Sequence, residues 1–138
     1  MLDSFHNSFQ IVYNLVNLID PFIGITTFLL ALFLKKEVNR TIERIEFRKD
    51  YEQWSGEAAG FINLLNSDIY NEQAIKLQLH DYLAKLKYNY TFFTFSTKRT
   101  IKKLENIQLN KNDLNSVLQF QELLRKLEAK LLKEGKIS

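Results

Sequence analysis

Asn7, Gln10, Asn14 and Asn17 follow one another at steps of three and four residues inside a segment that is otherwise mostly apolar. At that spacing the carboxamides share one face of an α-helix. Carboxamides donate and accept hydrogen bonds but do not titrate. The chemistry open to them is bonding across a helix–helix contact or the lining of a wet path. Asp3 and His6 fall on the same face, within an arc of roughly 100°. Phe5, Phe9, Val12, Leu15, Val16, Leu18 and Ile19 occupy the rest of the wheel. The same steps continue through Pro21 to Gly24, then Thr27 or Phe28, then Ala31. One face therefore begins polar and goes on with small residues, the composition that lets membrane helices approach closely.

Two groups of cations offer a different chemistry. Lys36, Arg40, Arg44 and Arg48 stand one helical turn apart after Lys35, with Glu37, Glu43 and Glu46 between them. Anionic lipid headgroups are the natural partner, at about 1 kcal/mol per basic residue near the surface. Arg40 and Arg44 fall roughly 8 and 14 Å beyond Lys35 at helical rise, so only the upper rungs reach headgroups. The lower ones suit Glu residues of a neighbouring subunit, a cytosolic vestibule, or a solvated face of i,i+4 ion pairs. Lys98, Arg99, Lys102 and Lys103 follow an aromatic run and lie near Ser96 and Thr97. Basic and aromatic side chains together suit a nucleotide or RNA, by phosphate contact and stacking, with a solvated helix face as the alternative.

Catalysis finds no support in the residues. Cysteine is absent, and the two histidines are His6 and His80. Expected on opposite sides of a membrane, they cannot share a site. No glycine-rich phosphate loop, H-E-x-x-H or G-x-S-x-G is present. The expectation is a protein that is not an enzyme and has no metal or other cofactor.

The elements that position these groups begin with residues 11–34, a 24-residue stretch without Lys or Arg whose one ionisable carboxylate is Asp20. At 1.5 Å per residue it covers roughly 36 Å, enough for a hydrocarbon core of about 30 Å. All 19 Lys and Arg lie beyond it, so the C-terminal side belongs in the cytoplasm and the N-terminus outside. A cleaved signal peptide is disfavoured, because a basic n-region and a small-residue cleavage site are both missing. Asp20-Pro21 reads as an N-cap followed by a first-turn proline. The membrane segment 1–34 is then an amphipathic helix over 4–19 and an apolar one over 21–34, or a single helix kinked at Pro21.

Helical spacing of Val38, Ile42, Ile45, Phe47, Tyr51, Trp54, Ala58, Phe61 and Leu65 extends the chain as a juxtamembrane helix over 35–66, where Asn66-Ser67-Asp68 offers a stop and a new cap. Within it, Gly56-x-x-x-Gly60 marks close helix packing. Residues 67–138 complete a bundle, with helices over 69–90, 96–107 and 114–134. The first carries Ile75, Leu79, Tyr82, Leu83 and Leu86 inward, and the second Ile101 and Leu104. The last is capped by Asn112 or Asp113, turns Leu114, Val117, Leu118, Leu124, Leu127 and Leu131 inward, and ends just before Gly135. The run YNYTFFTFST (88–97) has strand-like composition but no partner strand, and reads as a helix interior or bend.

The expected fold is thus an all-α membrane protein, its N-terminal transmembrane helix continuing into a cytosolic antiparallel helical bundle. In outline alone, with no motif in common, it is similar to small membrane accessory proteins of prokaryotic antiphage systems. A single helix cannot shelter Asn14 and Asn17 in lipid, which points to a homo-oligomer. That oligomer is a pore or membrane-perturbing effector of the bacterial inner membrane, or a dry anchor. If residues 1–17 lie among the outer headgroups instead, the asparagines are simply wet. The rival is a tethered adaptor that docks a cytosolic protein.

Overall fold

A computed structural model of the protein describes residues 2–67 and 69–136, with side chains for Asn7 and from Phe9 onward. Asp68 and the side chains of Asp3, Phe5 and His6 lie outside the described residues. Four helices follow in order: α1 (Leu2–Asn66), α2 (Glu72–Asn89), α3 (Phe95–Asn106) and α4 (Leu114–Lys136). No strand occurs among the described residues. The chain divides into two units, Met1–Asn39 and Arg40–Ser138.

Of the two alternatives at Asp20-Pro21, the structure has the single helix: α1 runs through Pro21 without a break. Asp20 is a helix-interior residue, not a cap. Proline inside a helix costs about 3 kcal/mol, chiefly one lost bond, here to the Asn17 carbonyl, and a ring clash. Ending and restarting the helix would strip up to four carbonyls and four amides of their partners. One forfeited bond is the smaller loss. Thr26 satisfies its own hydroxyl by donating to the Phe22 carbonyl, one turn earlier, at 2.7 Å.

Arg40–Ser138 is a bundle with its own core. Asn71 caps α2, accepting from the Gln73 and Ala74 amides at 3.0 and 3.2 Å. Thr94 caps α3, and Asp113 caps α4 by accepting from Asn115 N–H at 3.1 Å. Each neighbouring pair of helices is antiparallel. Between α1 and α2, Glu43 bonds Thr91 just past the end of α2, whereas Trp54 accepts at its carbonyl from the Tyr82 hydroxyl at 2.6 Å. Between α1 and α4, Asn66 accepts from the buried Gln121 at 2.8 Å, whereas Tyr51 meets Gly135. Burial pushes the Tyr82 hydroxyl far above its ordinary pKa, with Glu57 and Glu128 adding to the effect.

All five inward residues expected on α2 are buried, as are Ile101 and Leu104. In α1 the core face is Phe47, Ala58, Phe61, Ile62 and Leu65, while Val38, Ile42 and Ile45 are exposed. The proposed stripe mixed two faces, because two residues from Ile45 to Phe47 turn the helix by roughly 200°. Leu114 and Leu118 are likewise exposed, and Val117, Phe120, Leu124, Leu127 and Leu131 form the inward line of α4. Gly135 lies inside α4, packed against Tyr51, and does not follow the helix. Gly56 and Gly60 mark no close packing: a Cβ added to either meets nothing within 4 Å.

The aromatic run resolves as a bend. Residues 88 and 89 end α2, 90–94 turn, and α3 begins at Phe95. Phe47 meets the rings of Tyr90, Phe92 and Phe93 at 4.9, 5.7 and 5.1 Å between centroids, all edge-on. Its composition suits a strand because aromatic and β-branched residues fit half-buried surface generally. Here that surface is the end of a helical bundle.

Candidate functional site

In the first unit the polar seam is uncovered at every described side chain. Asn7, Gln10, Asn14, Asn17 and Asp20 are exposed along α1, as are Gly24, Thr27 and Ala31. So are the large apolar side chains around them from Phe9 to Leu34. α1 contains one stretch long and apolar enough to cross a membrane. Monomers in water rarely expose contiguous apolar patches above a few hundred Å². The uncovered side chains of this helix call for lipid or another chain as their surroundings.

The basic ladder divides. Lys35 and Lys36 are exposed in the first unit. In the second, the Arg44 guanidinium sits 5.7 Å above the Phe92 ring. Arg40 is half-buried and Arg48 exposed, and each has an interaction of its own. Glu43 is committed inside the chain: its carboxylate accepts from the Thr91 and Phe92 amides at 2.6 and 3.2 Å and from the Thr91 hydroxyl at 3.0 Å. Glu134 does the same at the next turn, accepting from Thr94 N–H at 2.9 Å and from the Thr94 and Thr97 hydroxyls at 2.7 Å. Two carboxylates, from α1 and α4, hold the aromatic bend.

The third group separates by face. Lys98 donates to the Thr91 carbonyl at 2.6 Å and borders a cavity of about 200 Å³ with Lys87, Tyr90 and Glu105. Arg99 and Lys103 turn towards α4, and Lys102 borders both sides. Between α3 and α4 they line a groove of about 580 Å³ with Asn106, Ile107, Gln119, Glu122, Leu123 and Lys126. Glu122, the one acid there, is paired with Lys126 at 2.5 Å, and that bond holds its carboxyl below the usual range. Lys130 ties the helices together by donating to the Ser96 carbonyl at 2.9 Å and the Thr100 hydroxyl at 2.6 Å. Burial lowers its pKa first, and the charges of Lys126, Lys103 and Arg99 lower it further.

Sequence reasoning missed the α4 side of this groove. The signal was present as Gln119, Leu123 and Lys126, with Glu122 beside Leu123, stepping by four and three along α4 as Arg99, Lys103 and Asn106 step along α3. Their facing needed the helix pairing. His80 is exposed on α2, and no group of three or more His, Asp or Glu able to hold a metal occurs among the described residues. No family model, curated protein or solved structure matches the chain.

Proposed function

We propose that the protein inserts residues 11–34 into a bacterial inner membrane and self-associates there as a pore or membrane-perturbing effector. The N-terminus lies outside, and the Arg40–Ser138 bundle lies in the cytoplasm. The observation that carries this reading is Asn14 and Asn17 exposed on the same helix as the uncovered apolar side chains from Phe9 to Leu34. In lipid, such side chains turn towards each other or towards water, and copies of the same helix provide both. Lys35 and Lys36 directly after the apolar stretch favour the orientation.

Replacing Asn14 and Asn17 together by Leu is expected to abolish dye or ion flux from liposomes while leaving insertion intact. Flux that survives the double change removes both residues from the conducting path. The mass of the complex in detergent checks the association itself, and a monomer sinks it.

A second reading, a membrane-tethered adaptor, is favoured by the self-contained core of the bundle. Moving the bundle onto an unrelated single-span anchor separates the two. An adaptor keeps its activity there, and a pore loses it.

A further inference from the structure

We propose that the groove between α3 and α4 binds a small ligand carrying two or more clustered phosphates, held by Arg99, Lys102 and Lys103. The site is independent of how the first unit acts in a membrane. Four cations line one groove against a single carboxylate, Glu122, which Lys126 neutralises, so that Arg99, Lys102 and Lys103 remain as its uncompensated positive charge. No carboxylate pairs with Arg99, Lys102 or Lys103 among the described residues. A solvated helix face would spread such charges or alternate their sign, as α2 does with Glu72–Lys76 and Asp81–Lys85. Here they repel one another across two helices; burial is the first cause of the lowered pKa of Lys130, and the charges of Lys126, Lys103 and Arg99 add to it by that crowding. A polyanion relieves it. Lys130 itself is held by Ser96 and Thr100, so it sets the spacing of the helices and leaves the ligand to its neighbours.

The shape limits what else the ligand carries. A groove of about 580 Å³ has the size of sites for one small molecule. Ile107 and Leu123 are half-buried and provide an apolar floor. Asn106 donates its amide to the Lys102 carbonyl at 2.8 Å, which leaves its side-chain oxygen as an acceptor. Guanidinium and ammonium groups beside an apolar floor and a carboxamide suit a phosphorylated molecule with an uncharged ring. Such phosphates come from a soluble nucleotide or from a phosphorylated lipid headgroup.

Titration calorimetry on the full chain in an uncharged detergent tests this, with ATP, inorganic triphosphate, inositol trisphosphate and inorganic phosphate as probes. Clustered phosphates should bind, and inorganic phosphate should bind at least about tenfold more weakly. Arg99→Glu and Lys103→Glu should each weaken binding by about tenfold or more, whereas Lys49→Glu, the same charge change on α1, should leave it within about twofold. Circular dichroism checks that the variants stay folded, and Lys103→Gln gives a milder version of the same loss. ATP binding above inositol trisphosphate assigns a soluble nucleotide, and the reverse order assigns a lipid headgroup. The proposal is overturned if no clustered phosphate binds, or if Arg99→Glu and Lys103→Glu bind as Lys49→Glu does. Binding of an RNA oligomer with none of the small probes bound overturns it as well.

Discussion

At the scale of single residues, glycine carries opposite meanings in one chain. A Cβ at Gly135 would lie 2.5 Å from Cγ of Tyr51 and 2.9 Å from its Cβ, atoms near the backbone that cannot swing away. At Gly56 the same atom meets nothing within 4 Å. Gly135→Ala is therefore expected to destabilise the bundle by about 1–3 kcal/mol through overpacking. That outweighs the gain of about 1 kcal/mol from replacing a helix-interior glycine, which Gly56→Ala should show unopposed. Denaturant unfolding of the two variants side by side measures both signs. A stabilised Gly135→Ala protein would mean that Tyr51 is free to move.

At the scale of elements, the bend between α2 and α3 is where local preference and fold part. Its backbone amides at Thr91, Phe92 and Thr94 have no helical partner, so Glu43 and Glu134 receive them from two other helices. Hydrogen bonds to a charged acceptor contribute about 1.5–3 kcal/mol each in favourable settings. Glu43 is only half-buried, so water offsets part of its contribution. Glu43→Gln is expected to lower stability by about 1–2 kcal/mol and to speed hydrogen exchange at the Thr91 and Phe92 amides more than at helix-interior amides. Uniform acceleration across the bundle would show instead that the bend is held by its aromatic packing alone.

At the scale of the whole molecule, the two units ask for different surroundings. Arg40–Ser138 buries Phe47, Leu83, Leu86, Leu124, Leu127 and Leu131 completely and has caps at α2, α3 and α4. About a hundred residues with such a core can be stable in water. A segment beginning at Arg40 should therefore be soluble, helical and cooperative in unfolding, while the full chain needs detergent. Loss of the cooperative transition in that segment would show that its core draws on residues before Arg40.

The all-helical class, the apolar stretch and the inward residues of α2 were legible because each rests on local periodicity or composition, which a chain displays without its neighbours. The starts of α2, α3 and α4 lie within about three residues of those expected, but of their caps only Asp113 was among the residues expected to cap; Asn71 caps α2 in place of Asn66-Ser67-Asp68, and Thr94 caps α3. Continuity through Asp20-Pro21 is a local balance of one lost bond against a broken helix end, and capping signals alone favour the break. Two features needed the tertiary structure. Which of two interleaved faces of α1 is the core depends on where α2 and α4 lie. The grouping of Arg99, Lys102 and Lys103 with Lys126, apart from Lys98, depends on α3 and α4 running antiparallel. The amino-acid sequence by itself determined which side chains are charged, polar or apolar and at what spacing. Only packing between helices decided which of those charges share one groove, because a helix sets the angle of a side chain but not what faces it.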